Sequence, residues 1–262
     1  MALIEITAAD DPRLADFRDL QDADVRPDRR GIVIGEGVAV VQRLLTSPYS
    51  VRAVVGVAAR MTALADELAA ASVDGYVLDK WLLSDVVGFR VTRGVLASAD
   101  RLPPADPEEI LRAARSVVVL ERLNDFENLG ALFRNAAAFG VDAVLLDPHC
   151  ADPLYRRSVR VSMGHALRVP FAVTSGSTTQ TIGLLRSLGF TALALTPRAG
   201  AEPLRMMVPP PRWAVVLGAE GPGLTDATLA AADRLVRIPM AGGVDSLNVA
   251  TAGAVAFAHL TG

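Results

Sequence analysis

Short apolar runs that alternate with helical patterns constrain this chain more than any other feature. Trp213-Ala-Val-Val-Leu217 stops at Gly218-Ala-Glu-Gly-Pro-Gly223, and Thr191-Ala-Leu-Ala-Leu195 stops at Thr196-Pro197. Arg234-Leu-Val-Arg-Ile238 ends in Pro239-Met-Ala-Gly-Gly-Val-Asp-Ser-Leu-Asn248. Each run has the length of a strand and is closed by glycine or proline. In an open α/β sheet, ligands bind outside the carboxyl ends of the strands. Three such strand ends close together in sequence therefore point to one small-molecule pocket.

The same alternation covers the rest of the chain. In the first hundred residues it predicts strands at 31–34, 51–57, 75–78 and near 95–97, with helices at 36–45, 61–71 and 79–87. Residues 12–30 are charged and read as a helix plus an exposed loop. Arg101-Leu-Pro-Pro-Ala-Asp-Pro107 breaks the pattern with three prolines and marks a linker, taken as 101–111. Beyond it come strands at 116–120, 141–146 and 169–173, and helices at 127–139, 154–162 and 178–188. A last helix is expected from Ser246, a good N-cap. The expected class is α/β: a small N-terminal α/β domain (1–100) and a C-terminal domain (112–262) built on a mainly parallel sheet.

Composition narrows the function. Half of the 262 residues are hydrophobic (51%), enough for a sizeable core, and the net charge is −3. That balance argues against a strongly basic nucleic-acid coat and leaves room for a local basic face. A single cysteine, Cys150, excludes a disulfide framework and a cysteine zinc cluster. His149, His165 and His259 lack metal-ligand spacing, so no metal is expected. The N-terminus is no signal peptide, and the stretch from Ser246 is short for a bilayer span. A reduced, cytoplasmic setting follows. Neither G-x-G-x-x-G after a first strand nor G-x-x-x-x-G-K-[ST] is present, which disfavours a nicotinamide cofactor or a nucleoside triphosphate.

Several residues are candidates for chemistry. Arg134 lies on helix 127–139 off its apolar stripe of Leu129, Leu132, Phe133 and Ala136. Gly130 sits one turn earlier and Asn128 near the helix start. A helical glycine costs about 1 kcal/mol against alanine, so close approach of a ligand or backbone is one explanation; a surface arginine with a packing glycine is the other. Glu220 stands among glycines directly after a strand, in what also reads as an ordinary turn. Ser246 fits a helix cap, whereas Asn248 one turn in is a mediocre helix former. Arg156, Arg157, Arg160 and Arg168, with Arg122 and Arg134, fit either a basic patch beside the pocket or a solvated helix face.

Together these segments resemble the SpoU (TrmH-like) branch of the SPOUT RNA methyltransferases. Three motifs match in order: Asn128-Leu-Gly130-Ala-Leu-Phe-Arg134-Asn135; Leu217-Gly-Ala-Glu-Gly-Pro-Gly223-Leu224; and Ile238-Pro-Met240 with Ser246-Leu-Asn248-Val249. The likeness is strong over 112–262. Over 31–100 it is weaker, towards the family's RNA-binding N-terminal domain. It implies S-adenosylmethionine as methyl donor, a ribose 2′-hydroxyl of rRNA or tRNA as acceptor, a C-terminal trefoil knot and a homodimer with the site near the dimer interface. Carried over, the cofactor loops hold Thr196, Gly218, Glu220, Gly221, Ile238, Met240, Leu247 and Asn248. The reaction centre holds Arg134, Asn128, Glu220, Ser246 and Asn248. Ala219 departs from the family's frequent asparagine and removes one polar group from the cofactor loop. Arg26, Arg29, Arg30, Arg43 and Arg52 are expected to grip structured RNA. Methylation of a base, or a silent RNA-binding protein that keeps the fold, are the alternatives.

Overall fold

A computed structural model of the chain describes residues 2–20 and 31–262. Arg26, Arg29 and Arg30 lie outside the described residues. The chain forms two compact units: Met1–Pro103 with Pro153–Arg168, and Pro104–Asp152 with Val169–Gly262. It therefore passes between the units three times.

The first unit is built on strands β1 (Leu3–Glu5), β2 (Ile32–Glu36), β3 (Val51–Gly56), β4 (Gly75–Val77) and β5 (Val95–Asp100). Their order in the sheet is β1-β4-β3-β5-β2. β1, β4 and β3 are parallel, while β5 runs antiparallel to both β3 and β2. Helix Lys80–Val87 shows why these residues fold as they do. Asp79 caps it by accepting from the amides of Trp81 (2.7 Å) and Leu82 (3.1 Å), and Gly88 ends it in the left-handed region. The helix expected at 61–71 is two, Ala58–Thr62 and Ala65–Ala71. Leu64 between them leaves helical geometry while its side chain is fully buried, so packing overrides propensity here. Pro12–Phe17, expected as part of a helix and loop, is a 3₁₀ helix that buries Leu14 and Phe17.

The arginine-rich segment 153–168 differs from its expected place in a continuous 112–262 domain, because it packs with the first unit. Its helix, Arg156–Val161, carries an arginine whose Nη1 meets Glu36 Oε2 at 2.9 Å. Glu36 is buried, and the Arg156 guanidinium also lies 4.3 Å from the centre of the Phe89 ring. Arg168 donates to the Thr46 hydroxyl, and Arg43 Nη1 donates to the Met163 carbonyl at 2.8 Å. These cations are spent on partners within the unit.

The second unit holds a seven-stranded sheet: β6 (Ser116–Glu121), β7 (Ala143–Leu146), β8 (Phe171–Val173), β9 (Thr191–Leu195), β10 (Glu202–Pro203), β11 (Trp213–Gly218) and β12 (Arg234–Arg237). The order is β10-β12-β9-β11-β6-β7-β8, and every pairing is parallel. β11 enters between β9 and β6, both formed earlier in the chain. Alternate residues Val117, Val119, Ala143, Leu145, Ala192, Ala194, Ala214 and Val216 join one core cluster with Ile182, Leu185 and Leu229 of the covering helices. Val118, Leu120, Val144, Leu146, Val215 and Leu217 on the opposite face are buried too, so the sheet is covered on both sides. Helix Pro107–Ala113 begins inside the expected linker. Asp106 caps it (2.9 Å to the Glu108 amide) and Pro107 takes its first position, where no amide is needed. Helices Phe126–Phe139 and Val249–Thr261 pack closely against each other. A Cβ on Gly253 would stand 2.5 Å from Leu132 Cδ2 and 3.3 Å from Leu217 Cδ1, so a larger residue there would make the Leu132 side chain shift. Among the described residues no helix is long and apolar enough to cross a membrane.

Candidate functional site

The carboxyl ends of β9, β11 and β12 and the start of the last helix enclose a cavity of about 620 Å³. Thr196, Gly218, Glu220, Gly221, Ile238, Met240, Leu247 and Asn248, the expected cofactor residues, all line it. Ser246 lines it as well. Apolar side chains form much of the wall, with Leu195, Leu217, Leu224 and Leu229 beneath the loops.

Gly218 is required by the loop that follows it. The Gly223 amide donates to the Ala219 carbonyl at 3.0 Å, folding residues 219–223 back over the strand end. An added Cβ on Gly218 would lie 2.4 Å from the Gly223 carbonyl carbon and 2.5 Å from the Leu224 nitrogen. Those are backbone atoms with no rotamer to change. The turn presents Glu220 in solvent at the cavity rim.

Asn248 joins the site together. Its Oδ1 accepts from the amides of Ala250 (3.0 Å) and Thr251 (3.1 Å), which makes it the N-cap of helix Val249–Thr261. Its Nδ2 donates to Asn128 Oδ1 and to Glu220 Oε1, both at 2.7 Å. This corrects the expectation that Ser246 caps the helix. Asparagine is unfavourable inside a helix, and the helix resolves that by beginning just after it. Asn128 reaches the cluster from the first turn of Phe126–Phe139, where Asp125 caps the helix by accepting from the Asn128 amide at 2.7 Å.

Arg134, on the same helix, is exposed and is not part of the cavity wall. The structure thus brings together Asn128, Glu220 and Asn248 by direct contact and leaves Arg134 apart in the single chain. The basic patch considered for Arg156 and Arg168 does not stand as free charge, given their partners in the first unit. Arg52 is likewise shared, at 3.4 Å from Asp16 and 3.8 Å from Asp100. Among the described residues no group of three or more His, Cys, Asp or Glu is placed to hold a metal ion.

Sequence reasoning passed over Glu121. This buried carboxylate at the end of β6 accepts from the Thr225 amide and hydroxyl, both at 3.0 Å, and from the Thr228 hydroxyl at 2.6 Å. It anchors the far end of the 218–225 loop to the sheet. The available signal was an acid closing the apolar run Val117-Val-Val-Leu120. Cys150, half-buried beneath the same sheet edge, is a thiol pushed up to about 12 by burial and by the neighbouring Asp147 carboxylate. It is not a nucleophile at neutral pH.

Comparison with known proteins places the chain. Residues 115–258 match the model of the SpoU rRNA Methylase family. A protein of Mycobacterium tuberculosis named as an uncharacterized tRNA/rRNA methyltransferase is 49% identical, over 98% of this chain and 91% of its own length. The 23S rRNA (guanosine(2553)-2′-O)-methyltransferase of Bacillus subtilis is 27% identical over 98% of this chain and 99% of its own. The crystal structure of an AdoMet-bound rRNA methyltransferase from Sinorhizobium meliloti superposes with a TM-score of 0.81 at 23% identity, covering 98% of this chain and 97% of that one. With the family model matched over more than half of its length and a relative 49% identical across nearly all of it, the chain belongs to the SpoU rRNA Methylase family.

Proposed function

We propose that this protein transfers a methyl group from S-adenosylmethionine to a ribose 2′-hydroxyl of rRNA or tRNA. The observation that carries the reading is the Asn248 amide, joined to Asn128 and Glu220 at the rim of the cavity. The cavity volume lies within the roughly 300–1,000 Å³ typical of drug-sized ligands. Its wall also suits the cofactor, with apolar side chains for the adenine and loop backbone and hydroxyls for the polar parts. Thr196, Gly218, Gly221, Ile238, Met240 and Leu247 would hold it. Bound there, it supplies an electrophilic methyl group on a sulfonium.

The chain's own contribution is positioning. Holding an acceptor oxygen in line, about 3 Å from the methyl carbon, supplies roughly 7–11 kcal/mol of barrier reduction. The Asn248 cluster fixes Glu220 and the start of helix Phe126–Phe139 relative to the cavity. Ser246 adds a hydroxyl at the same rim. Arg134 has no ion pair among the described residues, so its guanidinium is available to the acceptor's phosphate or ribose. A guanidinium stays protonated in proteins and is a poor base, so its main role is to orient the acceptor and stabilise developing oxyanion charge. Because Arg134 stands outside the cavity of its own chain, we assign the working form to a homodimer in which the site lies near the interface. Exposed Met206, Val208 and Val255 offer apolar surface for that contact. The entry of β11 between two earlier strands supports a knotted cofactor-binding end. RNA is gripped in addition by the first unit, through shape and phosphates.

Arg134→Ala is expected to abolish methyl transfer while calorimetric titration shows S-adenosylmethionine binding nearly intact. Nucleoside mass spectrometry of the RNA product should show a 2′-O-methyl nucleoside. A methylated base would replace this reading with that of a base-modifying relative. A folded protein that binds no S-adenosylmethionine would replace it with a silent RNA-binding protein.

A further inference from the structure

A second cavity, of about 470 Å³, opens at the carboxyl ends of β6, β7 and β8, on the same edge of the sheet as the first. One loop separates the two. Gly223 and Leu224 line the first cavity, and Thr225 and Thr228 line the second. The chemistry of the walls differs. The second is lined by Arg122, His149, Ser175, Ser177 and Thr179, with no Phe, Tyr or Trp on which a base could stack.

Two carboxylates stand in this wall, and both are committed to the protein. Glu121 accepts three bonds from Thr225 and Thr228. Asp147 accepts from the backbone amides of Arg122 (3.0 Å) and His149 (2.9 Å). The remaining side chains bring a guanidinium, an imidazole and hydroxyls that both donate and accept, those of Ser177 and Thr179 bonding each other at 2.7 Å. The Arg122 side chain is exposed and has no ion pair among the described residues, and its backbone is held in the left-handed region at φ 55°. Ser177 caps the ten-residue helix Thr178–Ser187, whose N-terminus faces this cavity with its positive dipole end. Thr178 in the same wall is 3% exposed, and its hydroxyl has no hydrogen-bond partner. A buried polar group in that state is unfavourable until something satisfies it.

We propose that this cavity is a second substrate subsite, holding a phosphodiester of the RNA strand beside the nucleotide that is methylated. The inference rests on the reading that this unit methylates RNA. A guanidinium, serine and threonine hydroxyls and a helix N-terminus are the groups that bind phosphate oxygens. The adjoining cavity holds the methyl donor, so a strand crossing the intervening loop places one nucleotide at the reaction centre and a neighbouring phosphate here. The β6–helix connection that carries Arg122 continues to Asn128 in the Asn248 cluster, which ties the two places together.

The test uses the full-length protein, labelled total tRNA and labelled fragmented rRNA as probes, and titrations at several salt concentrations. Arg122→Ala should weaken RNA binding about ten-fold at 0.1 M salt and flatten the log–log salt slope by about 0.7–0.9, the signature of one lost phosphate contact. Thr178→Val should melt no lower than the native protein and still bind RNA more weakly. S-adenosylmethionine affinity should stay the same in both. RNA affinity and salt slope unchanged in Arg122→Ala, while the native enzyme methylates RNA, would overturn the subsite and leave the activity standing. A drop confined to binding of inorganic phosphate would reassign it to a small anion, and a lower melting point for Thr178→Val would make its hydroxyl structural. A native protein that binds neither RNA nor S-adenosylmethionine would end both proposals.

Discussion

Asn248 does two jobs through opposite ends of one amide, and two substitutions separate them. The Oδ1 end caps helix Val249–Thr261 with bonds of 3.0 and 3.1 Å. Aspartate caps about as well as asparagine, whereas alanine costs about 1 kcal/mol. In a protein of this size 1 kcal/mol corresponds to roughly 2–4 °C in Tm. The Nδ2 end donates to Asn128 and Glu220 at 2.7 Å, and both substitutions delete those bonds. Asn248→Asp also sets a second carboxylate where 2.7 Å separates the amide nitrogen from Glu220 Oε1. Glu220 and Asn248 are exposed, so the relevant dielectric is near that of water. Coulomb's law then gives about 1.5 kcal/mol of repulsion, roughly one pKa unit.

The sign follows from proton counting. Repulsion raises the pKa of the folded carboxyl pair above its unfolded value of about 4. Between about pH 4 and pH 5 the folded Asn248→Asp protein then binds more protons than the unfolded chain, and its stability falls as pH rises through that window. Calorimetric melting against the native protein at each pH is the assay. Asn248→Ala should melt about 2–4 °C lower at both pH 7 and pH 4. Asn248→Asp should melt about 3–6 °C lower at pH 7 and recover most of that at pH 4. Both should lose S-adenosylmethionine affinity. A pH-independent Tm for Asn248→Asp would show that Glu220 does not face position 248, and an unchanged Tm for Asn248→Ala would show that the cap is dispensable.

Two further outcomes follow from the same sheet edge. Gly218→Ala forces its methyl group into the backbone at Gly223 and Leu224. The expected cost is about 1–3 kcal/mol of stability, together with loss of cofactor binding. A variant with native Tm and native affinity would mean that the loop can open freely. Cys150, its thiol pushed up to about 12, should resist iodoacetamide at pH 8 until the protein is denatured. Mass spectrometry with and without denaturant reads this directly, and rapid modification of the folded chain would place the thiol in a different environment.

The sequence made legible what local chemistry decides, and left hidden what only a distant partner decides. β9 runs from Thr191 to Leu195 as expected, and β11 differs from expectation only by including Gly218. In both, an apolar run ends at glycine or proline and nothing remote is needed to define the strand. β1 and β10 are three and two residues long, too short to show a period of two. They exist because β4 and β12 offer backbone groups to pair with. Helix Asp226–Ala231 was missed for a related reason. Its cap, Thr225, also donates its amide and hydroxyl to Glu121, and that charge stands 104 residues away. The arginines of 153–168 show the same limit at larger scale. Their spacing announces a helix with a charged face, but distant partners such as Glu36, 120 residues earlier in the chain than Arg156, and Thr46, which takes a bond from Arg168, tie the segment to the first unit. The candidate site divides along this line as well. The glycine turn and Ile238-Pro-Met240 are local and were readable as cavity loops. The choice of Asn248 over Ser246 as cap depends on Asn128 and Glu220 arriving at one point from other elements. A cap that must also donate two hydrogen bonds has to be an amide, because a serine hydroxyl has a single proton to give.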